Sequence, residues 1–320
     1  MRKFSLKDRS WLAPAGGSGG GGRGLVASKF PALPVLVFFL SANALSARVV
    51  TDQTGRRVNL PDHPRRLVSI APSITETLYE LGLGDRLVGD TDYCDYPPQA
   101  RSLPHVGALL NPNLEKIVAL KPDLVLGTDE ANRRETADQL ERLGIPLYGV
   151  TAHTVEGTIQ SLIDLGHVLD WDGPTQELVT RLRSRIAAVE KQVQGQPRPK
   201  VLFVVQYRPL ITAGSQTFIS DVIRRAGGAS ISDDLKNEWP HMGLEEVLSR
   251  DPDVILVPRT EAFTPRLDEF RTLAGWRDMA AVKNHRLYFV AETIMRPSPR
   301  LIEALENVAS ILHPAEKKVK

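Results

Sequence analysis

The chain has a single cysteine, Cys94, among 320 residues. An intramolecular disulfide is therefore excluded, even in a compartment that would permit one. A lone cysteine of this kind reads first as a small buried hydrophobe. Catalytic signatures are missing as well. There is no Gly-x-Ser-x-Gly, no phosphate loop and no dinucleotide fingerprint at a strand-to-helix turn. Gly82-Leu83-Gly84 lacks the third glycine and closes a helix instead of opening one. The seven histidines stand singly, with no i, i+4 pair, so no metal ligand set is expected. His105 and His241 are the two that fall in loops beside the repeat described below. No catalytic residue is assigned on these grounds, and no resident cofactor.

Long apolar runs are scarce. Residues 31–45, PALPVLVFFLSANAL, are apolar but too short to span a membrane. They follow a basic, Gly-rich stretch with GGSGGGGRG at 16–24, and Ala42-x-Ala44 offers small residues at signal-peptidase spacing. Residues 1–44 thus read as a cleavable secretory signal. The unusual length of its basic part suggests a start codon downstream of Met1. The segment holds six of the forty basic residues and one of the thirty-eight acidic ones, so the remainder carries three more acids than bases. No basic run with interleaved aromatics survives, which argues against a nucleic-acid partner. No cysteine follows the apolar stretch, so a lipid anchor of the usual kind is not expected. The economical address is the periplasm.

What the chain does have is a repeat. Leu114 to Leu126 reads LEKIVALKPDLVL, and Leu244 to Leu256 reads LEEVLSRDPDVIL, at an offset of 130 residues without insertion. Glu115 falls on Glu245, Pro122 on Pro252 and Asp123 on Asp253, and apolar falls on apolar at six further positions. Each copy starts at a helix cap, Asn113 or Gly243. An acid in the first turn complements the helix dipole, and a proline closes the short helix. A continuous apolar run then suits a strand buried on both faces of a parallel sheet. Two copies imply two similar α/β lobes, and the cleft between lobes is a favoured ligand site.

Between the copies lies the longest amphipathic stretch, residues 174–194. Leu178, Leu182, Ile186, Val189 and Val193 form one stripe at helical spacing. Pro174 suits the first helical position, and Gly195 with Pro197 ends the helix. It reads as a strut joining the lobes, because a flexible linker would be Gly/Ser-rich coil; an ordinary surface helix of one lobe is the alternative. The expected organisation is a signal at 1–44, an N-terminal α/β lobe at 45–170, a connecting helix at 171–196, a C-terminal α/β lobe at 197–313 and a tail at 314–320. Each lobe is Rossmann-like with a central sheet. Residues 49–62 read as a polar lead-in, and Ser73-Ile-Thr-Glu76 reads as a capping box. Residues 266–282 read as one helix.

The loops at strand ends concentrate the rare aromatics, which make up only 6% of the chain. Tyr93, Tyr96, Tyr207, Trp239 and Phe289 lie in or beside them. Flat faces of this kind suit a large ligand of little charge, oriented by a few polar groups. Glu292 and Arg296 on the last loop could supply those groups. The competing readings are loop packing for the aromatics and a weak surface ion pair for Glu292 with Arg296. A single Glu115 would be read as dipole complementarity alone. Two carboxylates at matching positions in two lobes suit docking onto a twofold-symmetric partner with two basic sites.

With these residues in hand, the chain resembles the periplasmic substrate-binding proteins of ABC importers for cobalamin and siderophores, and most of all their cobalamin-binding members. The resemblance covers roughly residues 65–313 and rests on DYPPQA at 95–100, NLEKIVALKPDLV at 113–125, EWP at 238–240, the second repeat copy and RPSPR at 296–300. It implies two α/β lobes joined by one long helix, a ligand in the cleft and modest closure. By position it implies permease docking through Glu115 and Glu245, which would meet arginine pockets on a homodimeric permease served by an ATPase. It implies corrinoid contacts at Tyr93, Trp239, Glu292 and Arg296. Leu109, Thr128 and Ile211 stand where aromatic cleft residues of the cobalamin binders would align, and the disulfide found there is absent. The implied function is non-enzymatic capture of a corrinoid by a monomer. Haem or a ferric siderophore is the second ligand reading, and an enzyme acting on a tetrapyrrole in the cleft, with Glu292 or His241 as acid or base, is the rival class.

Overall fold

The computed structural model describes residues 47–129, 133–260 and 266–314. The signal assigned to 1–44 lies outside them, as does the tail from 315 onward. Strands β1 (Ala47–Thr51) and β2 (Arg57–Pro61) form an antiparallel hairpin, where a polar lead-in was expected. Period-2 alternation produces it: Val58 and Leu60 are buried, while Arg57 and Asn59 face out. The Asp52 carboxylate closes the turn by accepting the Thr54 and Arg56 amides at 3.0 and 2.8 Å, and Gly55 supplies a left-handed φ of 83°.

Seven elements follow: β3 (Leu67–Ser69), α1 (Pro72–Glu80), β4 (Leu87–Gly89), α2 (Leu114–Ala119), β5 (Leu124–Thr128), α3 (Arg134–Arg142) and β6 (Leu147–Val150). The four strands form a parallel sheet in the order β4-β3-β5-β6. Next come α4 (Val155–Val168) and the 22-residue α5 (Asp172–Val193). The second half holds β7 (Lys200–Phe203), a small hairpin of β8 (Gln206–Tyr207) and β9 (Leu210–Ile211), α6 (Phe218–Arg225), β10 (Ala229–Ser230), α7 (Leu244–Arg250) and β11 (Val254–Arg259). It ends with α8 (Leu267–Thr272), α9 (Ala280–Lys283), β12 (Leu287–Ala291) and α10 (Leu301–Leu312). Its sheet is parallel, in the order β10-β7-β11-β12. Each sheet therefore places its four strands in the order second, first, third, fourth. The molecule is a two-lobed α/β protein with doubly wound parallel sheets.

The repeat is carried down to the backbone. Lys121 and Asp251, 130 positions apart, both take a left-handed conformation, with φ of 47° and 46°, so each helix ends by a sharp reversal before its proline. The repeated aspartates then perform one task. Asp123 Oδ2 accepts the amides of Arg65 and Arg66 at 2.8 Å, and Asp253 Oδ2 accepts the amide of Lys200 at 2.7 Å. Each carboxylate ties the start of the third strand to the start of the first.

Helix α5 begins at Asp172, two residues before the expected start, with Pro174 still in the first turn. Backbone N–H groups there have no intrahelical acceptor, so a proline costs nothing. Leu178, Leu182, Ile186 and Val189 are buried as the stripe requires. Ion pairs fasten the outer face of α5 to three neighbours: Arg183 to Glu156 on α4, Glu190 to Arg225 on α6, and Arg185 to Glu306 on α10 through two bonds of 2.8 Å. The expected helix at 266–282 is instead α8, a single 3₁₀ turn at Trp276–Asp278 and α9. Gly275, at φ 82°, breaks it and turns the Trp276 ring edge-on to Phe270 at 4.8 Å in the core.

One apolar cluster runs unbroken from Leu67 and Leu126 in the first sheet, through Leu182 and Ile186, to Val201 and Leu256 in the second. Val68 and Val125 bury the opposite face of the first sheet, and Leu202 and Ile255 that of the second. Burial on both faces explains the unbroken apolar runs of these strands. A core shared between the lobes predicts a single unfolding transition in urea, coincident by circular dichroism and tryptophan fluorescence. Ile186→Ala should lower the stability of the whole molecule by roughly 2–5 kcal/mol. Two separated transitions would show that each lobe has an independent core.

Candidate functional site

Parallel doubly wound sheets bind ligands beyond the carboxyl ends of their strands, where the chain order reverses. A cavity of about 720 Å³ lies at that place for both sheets at once. Pro72 and Ser73 follow β3, Tyr93 follows β4, Thr128 ends β5, Thr260 follows β11 and Glu292 follows β12, and all of them line it. The four residues expected from the sequence to contact ligand, Tyr93, Trp239, Glu292 and Arg296, are brought together on this one wall-to-wall cavity.

The aromatics divide into two groups. Tyr93 is 58% exposed and Trp239 38%, high values for such large rings, and both open onto the cavity. The other three do not line it. Tyr207 leans on Phe270 at 5.6 Å, Phe289 lies beneath the Arg259 guanidinium, and Tyr96 is covered by Arg300 at 3.5 Å. Leu109, Leu110 and Met295 complete the apolar lining.

The polar side of the cavity is built around Arg296, whose side chain is only 14% exposed. Its Nη1 donates to Glu76 Oε1 at 2.8 Å and to Asp95 Oδ1 at 2.6 Å, and its Nη2 donates to Glu292 Oε1 at 3.0 Å. The pair of Glu292 with Arg296 is therefore part of a half-buried network and not the weak surface contact that was the alternative. Burial alone would lower the Arg296 pKa, but its bonds to Asp95 and Glu76 raise it, so the guanidinium stays charged. Burial would likewise raise the Asp95 carboxyl, and the Arg296 hydrogen bond overcomes this and holds it below the usual carboxylate range.

Glu76 corrects the capping-box expectation. Helix α1 is preceded by Ala71 and carries no side-chain cap. Ser73 and Glu76 both lie inside the helix, and Glu76 turns across to the other lobe. There it also accepts from Ser298 Oγ at 2.6 Å and from Arg300 Nη1 at 3.4 Å. A buried carboxylate needs cations and donors, and RPSPR supplies them. Asp95 was legible only as part of DYPPQA. Glu76 gave a local signal that pointed elsewhere.

Glu115 and Glu245 do not enter the cavity. Both are exposed in the first turns of α2 and α7, and neither has an ion-pair partner among the described residues. Asn113 caps α2 by accepting the Lys116 amide at 3.0 Å, as expected. Cys94 is buried, with its thiol pushed up by burial and hydrogen-bonded by Thr75 and Thr91. His105 bonds Asp90 at 2.7 Å; Asp90 is fully buried and its carboxyl is pushed up to about 6, chiefly by burial. His241 bridges to Ile211 through the backbone. Among the described residues no group of three or more His, Cys, Asp or Glu could hold a metal ion.

The family described as "Periplasmic binding protein" matches residues 67–293 of this chain. A vitamin B12-binding protein of Photorhabdus laumondii subsp. laumondii is 32% identical over 251 residues, which cover 78% of this chain and 88% of that protein. One of Vibrio cholerae is 29% identical over 260 residues, 81% of this chain and 92% of its own length. Among solved structures, the periplasmic vitamin B12 binding protein BtuF of Vibrio cholerae superposes with a TM-score of 0.71 at 29% identity, over 80% of this chain and 99% of that one. The periplasmic heme-binding protein RhuT from Roseiflexus sp. RS-1 gives 0.70 at 26% identity, over 78% and 97%.

The Glu76 network generates a stability prediction. Removing one partner from a buried charge cluster is strongly destabilising, because it strands the others. Glu76→Ala should cost about 3 kcal/mol by urea unfolding at neutral pH. A loss under about 1 kcal/mol would mean that Asp95 and Glu292 compensate the two arginines without it.

Proposed function

The chain belongs to the periplasmic binding protein family, and on that premise we propose that it captures a corrinoid, cobalamin itself in the first instance, and delivers it to an inner-membrane ABC importer. The observation that carries the reading is the convergence of Tyr93, Trp239, Glu292 and Arg296 on one cavity between the lobes. Two exposed aromatic rings and a small polar cluster on one cavity suit a large macrocycle with polar substituents. The vitamin B12-binding relatives, matched over most of their length, support the same ligand.

Residues 1–44 act as the cleavable signal to the periplasm. The lobes are 45–170 and 197–313, with 171–196 as the connecting strut, and the protein works as a monomer. It turns nothing over, since capture and release are the whole task. Glu115 and Glu245, exposed, without an ion-pair partner among the described residues and equivalent by the repeat, dock onto the two copies of a homodimeric permease coupled to its ATPase. Haem is the second ligand reading, favoured by the likeness to a heme-binding structure and by Leu109 and Thr128 standing where cobalamin binders would carry aromatic side chains. A ferric siderophore belongs to the same reading.

Two experiments separate these roles. In calorimetric titration with cyanocobalamin, Tyr93→Ala and Trp239→Ala should each weaken binding about fivefold or more, the loss of one stacked aromatic face being worth about 1–3 kcal/mol. No change in either would remove the assigned cleft. The double variant Glu115→Lys, Glu245→Lys should abolish importer-dependent uptake while its affinity for cyanocobalamin is retained. Uptake at the normal rate would eliminate the docking role.

A further inference from the structure

Among the described residues that line the cavity, four are charged: Asp92, Asp95, Glu292 and Arg296. The lone cation is already engaged. Both N–H groups of Arg296 Nη1 are spent on Glu76 and Asp95, and Nη2 holds Glu292. Glu76 is fully buried and is itself held by Ser298 and Arg300, so it cannot swing aside. An arginine that receives a ligand carboxylate presents two parallel N–H groups in a fork. Three of the five N–H groups of Arg296 are taken by carboxylates, the fork between Nη1 and Nη2 among them, and the lining sets three carboxylates around this one guanidinium.

We propose that the carboxylates around Arg296 act as a charge filter, in which Asp95 and Glu292 reject ligands with peripheral carboxylates and accept ligands whose peripheral groups are neutral N–H donors, primary carboxamides above all. The inference rests on the reading of the cavity as a macrocycle site and adds which substituents that site admits. Carboxylate oxygens held by a guanidinium keep free lone pairs directed at the cavity, and an amide N–H satisfies them without adding charge. A carboxylate in the same place brings like charges together in a site partly closed to water, where repulsion is weakly screened. Arg296 is then a positioning residue that orients two acceptors, and Glu76 fixes Arg296 from behind. A corrinoid edged with carboxamides passes this filter; a porphyrin bearing two propionates does not.

The test compares ligands that differ only in that charge. The purified protein is titrated with cyanocobalamin and with the three monocarboxylic acids made by hydrolysing one of its peripheral propionamides. Hemin and hemin dimethyl ester form a second pair. The neutral member should bind about tenfold or more tightly than at least one of the three acids, and likewise within the haem pair. Asp95→Asn and Glu292→Gln, nearly isosteric and checked for folding by circular dichroism, should shrink both ratios toward unity, whatever they do to absolute affinity. Acids that bind the unsubstituted protein as tightly as their neutral partners would overturn the filter, as would ratios that neither substitution moves. If none of the four corrinoids binds but the ester outbinds hemin, the filter stands and the corrinoid reading falls. If all corrinoids bind equally, the corrinoid reading stands and the filter falls. Binding by none of the ligands would overturn both.

Discussion

A carboxylate sealed from water is tolerated only where cations and donors come to it. Glu76 is such a group, rooted in the first lobe on α1, and everything that satisfies it belongs to the second lobe: Arg296, Ser298 and Arg300. That one requirement fixes the distance between the lobes at the rim of the cleft. On another contact between the halves, the Asp221 carboxylate on α6 accepts the Val155 amide at the N-terminus of α4 at 2.9 Å, while Arg225 links it to Glu190 on α5. With a core continuous between the sheets, these contacts leave little freedom for a hinge. The cavity is built in advance, and the protein's own ordering cost on binding is correspondingly small.

The arrangement also explains why a pseudo-symmetric scaffold yields an asymmetric cleft. The two sheets share one strand order and their repeats share even a left-handed residue before the proline. Symmetry governs what lies beneath the strand ends, where Asp123 and Asp253 perform the same tie. Above the strand ends the lobes diverge. The first lobe contributes Asp92, Asp95 and Tyr93; the second contributes Arg296, Glu292 and Trp239. The acids of the two lobes meet at one guanidinium, since Arg296 holds Asp95 from the first lobe and Glu292 from the second.

How much of this was legible in the sequence depends on the range of the interaction. The repeat, the α5 stripe and the apolar strands are local patterns tied to 2.0 and 3.6 residue periods, and they reappear with shifts of one to three residues. The convergence of Tyr93, Trp239, Glu292 and Arg296 followed from their positions at strand ends and from family likeness. The failures came where a local motif had a distant partner. Ser73 and Glu76 match a capping box over four residues, yet Glu76 answers to residues more than 200 positions away, and a buried charge outweighs a cap worth about 1 kcal/mol. At 266–282 the helical pattern was real but Gly275 broke it so that Trp276 could pack on Phe270. Tyr207 and Phe289 sit beside strand ends without reaching the cavity. Sequence position alone does not tell which side of a loop a ring will face.

The proposed docking residues and the cavity wall are joined by very short chain segments. Leu109 and Leu110 line the cavity, and three residues further on Asn113 caps α2, whose first turn carries Glu115. Trp239 lines it from the other lobe, and Gly243 opens α7 four residues later, ahead of Glu245. The first of these loops is held to the sheet by the Asp90–His105 bond and by the Asn113 amide donating to Val106. The second is held by the Thr212 and Gly214 amides donating to Pro240 and Glu238. A ligand that presses on Leu109 or Trp239 therefore acts on a segment anchored at one end to the sheet and at the other to a helix bearing an exposed carboxylate. With the lobes pinned through Glu76, these two short segments are the direct covalent links between the cavity wall and the carboxylates proposed for docking.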